Sequence, residues 1–262
     1  MEKIREIIAA HATGTTGIAE RNKAKLRQLT GDREQRLIDL GDILIDEVNA
    51  RLDRLSRRNP GQSRQSLMGL EEGRDVMCAI ASDILLARVP RSANVTGIKL
   101  GWIGWQDGLA QITVPNVEVK GRGIDDPDLM IPLDRHASQR LRFYLDKIRH
   151  KLLLPGDEEN PFLFPAQGGE THGSAFMRLL TRLMRHAHRI VGVAMNPHLY
   201  RHFVGWTWLK RDPNRLPDVQ RLLGHKRLET TLAYYAEIDE ALALDRWQAH
   251  LTGKDQTLKE GH

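Results

Sequence analysis

Strand-like patterning in this chain is confined to one short stretch, and that confinement limits the folds open to it. Residues 111–115, 116–120 and 129–133 are short, carry β-branched side chains and are separated by glycine, aspartate and proline. Such segments read as strands between turns. Between the last two, Lys120-Gly121-Arg122-Gly123 followed by Asp125-Asp126-Pro127-Asp128 predicts a basic hairpin. On either side, apolar residues recur at helical spacing. Leu37, Leu40, Ile43, Leu44, Val48, Leu52 and Leu55, with Glu47 among them, put a stripe on one face between Asp32 and Arg58, as in a helix packing one side on a partner. A second pattern runs from Leu70 to Val89 and stops before Pro90. After the strands, helices are expected over 135–153, 173–191, 197–210, 216–223, 229–236 and 238–251. Helices, a small sheet, then helices again argue a mostly helical α+β fold with a three-stranded antiparallel sheet, not alternating βαβ units. Asn59-Pro60-Gly61-Gln62-Ser63 is turn chemistry, and it divides a short helical region, 1–66, from a larger domain, 67–262.

Composition narrows the functional classes. With 262 residues, a 40% hydrophobic fraction and 22 glycines, the chain can bury a sizeable core. The formal net charge of +5 fits a nucleic-acid partner, whose phosphates attract lysine and arginine. A single cysteine, Cys78, excludes an intramolecular disulfide and a cysteine-rich zinc site. Its apolar neighbours predict a buried thiol. No apolar run approaches the roughly 18 residues that would span a bilayer, and the N-terminus lacks a signal-peptide core. A cytoplasmic protein with no membrane partner is expected.

The chemistry concentrates in residues 197–236. His198 and Arg201 stand three apart, on one face of a helix. Gly224 permits a tight turn before His225, and the pair Tyr234-Tyr235 follows. Cleaving a phosphodiester without a metal needs a nucleophile, cations to neutralise the non-bridging oxygens, and an acid for the leaving oxygen. Tyrosine can attack when neighbouring groups help it lose its proton. Arginine matches two phosphate oxygens with a planar, permanently charged fork. Histidine can relay a proton near neutrality, and a lysine can act as a general acid. His198 and His202 are four apart, but Leu199 stands where a zinc-dependent hydrolase needs glutamate, so no metal pair is read here. Trp206 and Trp208 are expected in the helix core.

His198-Leu199-Tyr200-Arg201-His202, Leu222-Leu223-Gly224-His225 and Thr230-Thr231-Leu232-Ala233-Tyr234 closely resemble the tyrosine recombinases, also called phage integrases. The signature of that family is H-x-x-R, then L-G-H, then T-T-x-x-Y. Pro90-Arg91-Ser92-Ala93-Asn94 resembles the family's first arginine box. Val119-Lys120-Gly121-Arg122-Gly123 and Ile131-Pro132-Leu133 resemble its lysine hairpin and returning strand. The resemblance covers about residues 70–251 and implies a recombinase-like catalytic domain. It also implies roles. Tyr234 would form a covalent 3′-phosphotyrosine, with Arg91, Arg201 and His225 holding the scissile phosphate. His198 would help accept the tyrosine proton, and Lys120 would protonate the 5′-hydroxyl. The nine-residue spacing from His225 favours Tyr234 over Tyr235, and Asn94 favours Arg91 over Arg88. Arg122 cannot replace Lys120, because guanidinium hardly deprotonates.

The implied reaction is site-specific recombination of double-stranded DNA by a homo-oligomer, without metal, ATP or other cofactor. Residues 1–66 would be a reduced or truncated form of the family's DNA-clamping domain, and 238–251 a helix packing in cis or on a neighbouring protomer. Two other readings stay open: a recombinase-derived DNA-binding protein that no longer completes the reaction, and a type IB topoisomerase.

Overall fold

The computed structural model describes residues 18–119, 122–166, 173–224 and, beyond these, 231, 244, 247, 248 and 251. Its contacts divide the chain into two compact units, Arg27–Arg201 and a second made of Met1–Leu26 with His202–His262. In chain order the described elements are α1 (Glu20–Gln28), α2 (Asp32–Ile38), α3 (Leu40–Arg58), α4 (Arg64–Leu67), α5 (Leu70–Arg88) and α6 (Ser92–Thr96). There follow β1 (Ile103–Gln106), β2 (Leu109–Val114), β3 (Leu129–Pro132), α7 (Arg135–Lys147), α8 (Phe176–Val191), α9 (Pro197–Arg211) and α10 (Leu216–Leu223). The fold is α+β and mostly helical, with one small antiparallel sheet. Among the described residues no helix is long and apolar enough to cross a membrane.

The unit Arg27–Arg201 is built around α5. Its residues from Asp75 to Ser82 are all buried, as are Ile84 and Leu85, which is the pattern of a helix enclosed on every side. Helices α3, α7 and α8 and strand β3 all pack on it. From α3 come Leu40, Leu44, Val48 and Leu52, four apart, forming most of the stripe the spacing predicts; the span expected as one helix from Asp32 to Arg58 is broken at Asp39 into α2 and α3. Gly41 sits where the two helices approach closely, and a Cβ there would collide with the Asp83 carboxylate. That carboxylate accepts two hydrogen bonds from Arg140 of α7, each 2.9 Å. Cys78 is buried, and burial pushes its thiol pKa well above the ordinary value.

One buried carboxylate ties three helices together. Asp75 of α5, 1% exposed, accepts from Arg51 of α3 and from Arg182 and His186 of α8, the latter two at 2.8 Å. Burial works against its ionisation, but hydrogen bonds from His186, Arg51 and Arg182 outweigh it and hold the carboxyl far below the usual carboxylate range. Glu47 of α3 takes a two-pronged bond from Arg189 of α8 at 2.7 and 2.6 Å.

The sheet has the order β1-β2-β3, both pairings antiparallel, with Ile103 opposite Ile112 and Ile112 opposite Ile131. Ser138 of α7 joins helix to sheet, accepting from the Ala110 N–H at 2.9 Å and donating to the Leu133 carbonyl at 3.2 Å. Two of the three predicted strands stand where expected; the segment 116–120 does not. Asn116–Glu118 is a 3₁₀ turn. Pro115 cannot donate to a ladder, and the Asn116 side chain binds the following loop instead of continuing β2. The third strand is β1, joined to β2 by Asp107-Gly108 with both residues at positive φ, 51° and 77°. That is the two-residue hairpin turn for which Asp-Gly is suited. Similarly, the helix expected over 135–153 stops at Lys147 and continues only as a 3₁₀ turn, Arg149–Leu152.

In the second unit, the C-terminal part of α9 packs on α10. Gly205 faces Leu223 and Val219, and a Cβ there would touch each at 3.4 Å. Trp206 is buried and Trp208 half-buried. The helices expected over 229–236 and 238–251 fall almost entirely outside the described residues.

Candidate active site

The described part of the site forms where α5 ends. Arg88 closes the helix, and Val89 takes a left-handed conformation, φ 51° and ψ 46°. A β-branched residue rarely adopts this, and a following proline disfavours helical geometry further. The corner turns the chain so that Arg91 stands at the N-cap of α6, exposed. It also leaves the Val89 carbonyl as an acceptor for the Arg201 guanidinium of α9. Two residues 112 apart in sequence are thereby held at the corner that delivers Arg91.

Helix α9 starts cleanly. Asn196 accepts the Leu199 N–H at 2.9 Å, and Pro197 occupies the first helical position, where its missing donor costs nothing. His198 lies one turn before Arg201. Its pKa is lowered, first by desolvation and then by the charges of Arg201 and Arg91. Burial and those two cations all favour the neutral imidazole, the form that can accept a proton. Arg91, His198 and Arg201 are the three predicted site residues that come together among the described residues.

The hairpin approaches the same corner. Asn94, three residues after Arg91, donates to the Glu118 carbonyl at 3.3 Å, and Lys99 pairs with Glu118 at 3.0 Å. Arg122 lies near enough to Arg88 to contribute, after burial, to lowering the Arg88 pKa. Lys120 itself lies outside the described residues, as do His225, Tyr234 and Tyr235. Gly224, just before His225, has φ 63° and closes α10 in the left-handed conformation, as the tight-turn reading expects.

Two residues with a bearing on the site were not singled out from sequence. Val89 carried no glycine to flag a positive φ, and Val-Pro points to extended backbone. Asn116 follows a proline at the end of a strand, the position where an asparagine side chain tends to organise a turn; the apolar Val117 and Val119 beside it mimic a strand.

Comparison with known proteins adds an independent observation. A family model described as the phage integrase family matches residues 60–241. Tyrosine recombinase XerD of Brucella suis biovar 1 (strain 1330) is 35% identical over 126 residues, covering 47% of this chain and 38% of that protein. Tyrosine recombinase XerC of Bacillus subtilis (strain 168) is 28% identical over 121 residues, covering 46% of this chain and 38% of that protein. The matched region therefore spans well under half the length of these relatives. Among solved structures, XerH site-specific recombinase bound to a palindromic difH substrate in a post-cleavage complex superposes with a TM-score of 0.50. Its sequence identity is 20%, over 70% of this chain and 49% of that one, a likeness of fold.

Proposed function

Because the chain belongs to the phage integrase family, we propose that it is a site-specific recombinase acting on double-stranded DNA through a covalent 3′-phosphotyrosine. The observation that carries this reading is the convergence of Arg91, His198 and Arg201 at the Val89–Pro90 corner. They are the phosphate-binding and proton-accepting members of the family's motif.

In the proposed step, the Tyr234 oxygen attacks phosphorus and its proton passes toward His198, which its surroundings favour in the neutral, proton-accepting form. The P–O5′ bond breaks as the P–O(Tyr) bond forms. Arg91, Arg201 and His225 neutralise the charge that builds on the non-bridging oxygens. The departing 5′ oxygen takes a proton from the Lys120 ammonium. Reversal with a different 5′-hydroxyl rejoins the strand, and the phosphotyrosine conserves the bond energy, so no ATP or metal is required. XerH carries a DNA substrate in its structure, which supports duplex DNA as the partner here. Strand exchange between two duplexes calls for several protomers, so a homo-oligomer on DNA is part of the proposal. We place catalysis in residues 67–262 and a short helical region in 1–66, with the reaction in the cytoplasm.

The test is covalent capture. The protein carrying Tyr234→Phe is used to select its binding sequence from a randomised duplex library, and that sequence is rebuilt as a nicked suicide duplex. Wild type should give a protein–DNA adduct in a denaturing gel, and Tyr234→Phe should give none. Retained binding with no adduct from wild type would instead mark a DNA-binding protein that has lost the chemistry.

A further inference from the structure

Beyond the corner that would hold the scissile phosphate, we infer that the pocket between α5 and α8 is a second phosphate site, taking a backbone phosphate of the duplex that flanks the cleavage point. The inference rests on the proposed reaction, because it needs duplex DNA seated at the corner. The pocket has a volume of about 360 Å³ and is lined by Arg74 of α5 and by Arg178, Arg182 and Arg185 of α8. Positions 178, 182 and 185 are spaced by one helical turn each, so a single face of α8 carries three guanidiniums. Glu71 accepts from Arg182 at 2.9 Å and pairs with Arg74, and Asp75 accepts from Arg182 at 2.8 Å. Neither carboxylate lines the pocket; from behind it they orient two of its arginines. Arginine forks match phosphate oxygens two at a time and stay charged. Four of them around one space select an anion with several oxygens.

Size, wall and position decide which anion. One water takes roughly 30 Å³ of liquid, so the space exceeds what a lone phosphate ion fills and suits a phosphodiester with an adjoining sugar. Met77, Met177 and Leu179 supply an apolar wall against which sugar carbons pack, and the Thr181 hydroxyl, also in the lining, is a further donor of the kind that binds phosphate. An apolar groove along α8 shares Met177, Thr181 and Arg185 with the pocket and extends to Ser92 and Pro197. Ser92 directly follows Arg91 in the chain, and Pro197 directly precedes His198. Pocket, groove and corner all belong to the one unit Arg27–Arg201. A strand held at the corner is therefore led along α8 into the arginines. An acidic peptide would meet the same guanidiniums, but the groove joins them to the corner proposed to bind phosphate, which favours DNA.

Neutralising phosphates one at a time tests the site. The Tyr234→Phe protein is bound to its selected duplex, intact or with single phosphates replaced in turn by uncharged methylphosphonates. Binding should weaken at the scissile phosphate and again at a flanking position. Adding Arg178→Gln together with Arg185→Gln should weaken binding to the intact duplex by about 10-fold or more. It should also lower the slope of log affinity against log salt by about 1. The penalty at the flanking position should vanish, while the penalty at the scissile phosphate stays. Both arginines are exposed; should the pair of substitutions prevent folding, Arg185→Gln alone carries the test. An identical scan with and without the substitutions, or equal relief at every position, would overturn the site. Two further arms identify other occupants. Inorganic phosphate, or a glutamate-rich peptide, that raises the melting temperature of the parent but not of the variant, with the scans unchanged, would assign the pocket to that ligand and overturn a backbone site. Failure of the underlying reaction looks different: wild type would give no adduct on the suicide duplex, whatever the scan shows.

Discussion

At Val89 a single residue bears a conformational cost and serves two arginines. Its positive φ is expensive for a β-branched side chain, about 1–3 kcal/mol, yet the carbonyl it presents anchors Arg201, and the turn it makes delivers Arg91. Glycine would keep the carbonyl and remove the strain. Val89 is also fully buried, and losing its side chain costs about 1.5–3 kcal/mol on top of the entropy glycine adds to the unfolded chain. Val89→Gly is therefore expected to lower the melting temperature while leaving adduct formation intact; a raised melting temperature would mean the strain outweighs the burial. His198 shows the electrical consequence of the same corner. Its pKa is lowered by desolvation and by Arg201 and Arg91. Protonation then favours the unfolded chain, so the stability linked to neutral His198 is present above the ordinary histidine pKa, about 6.5, and declines as pH falls below it. An NMR titration should place the wild-type imidazole below that value, and Arg91→Ala should move it upward.

Among the elements, α5 is the spine of its unit, and two of its carboxylates fix the helices around it. Asp75 is buried and bonded to Arg51, Arg182 and His186. Asp75→Ala would leave three cationic or polar groups facing one another without an acceptor, a loss of about 3 kcal/mol or more in urea unfolding. Because that carboxyl is held far below its ordinary pKa, its stabilisation is complete above about pH 4 and is lost as pH falls further. Gly41→Ala tests the other contact: the added methyl would meet the Asp83 carboxylate, which must turn away from Arg140 or force α3 off α5, at a cost of about 1–3 kcal/mol by the same assay.

These helices were legible in the sequence because burial on one face repeats at a period that survives reading: Leu40, Leu44, Val48 and Leu52 form such a series. The sheet was less legible. Strand β1 is Ile-Gly-Trp-Gln, with one β-branched residue, and the Asp107-Gly108 turn after it was the signal to follow. The segment 116–120 alternates apolar residues like a strand, but hydrogen bonding by Asn116 decides its shape, and periodicity does not register hydrogen bonds.

Over the whole molecule, the candidate site was legible as chemistry and not as geometry. His198, Arg201 and Arg91 could be named from motif spacing. That Val89 would bend against its own preference to join them could not, because the interaction partner lies 112 residues away. The network around Asp75 was hidden for the same reason, its partners lying 24, 107 and 111 residues distant. Sequence-local rules carry no information about such pairings, whereas the order of the family motifs carries the reaction class. The most direct measurement is therefore to trap the adduct on the suicide duplex in the presence of EDTA, digest it, and locate the nucleotide-bearing peptide by mass spectrometry. The expected result is one phosphodiester-linked residue, Tyr234. Linkage to Tyr235, or no covalent adduct at all from protein that binds the duplex, would contradict it.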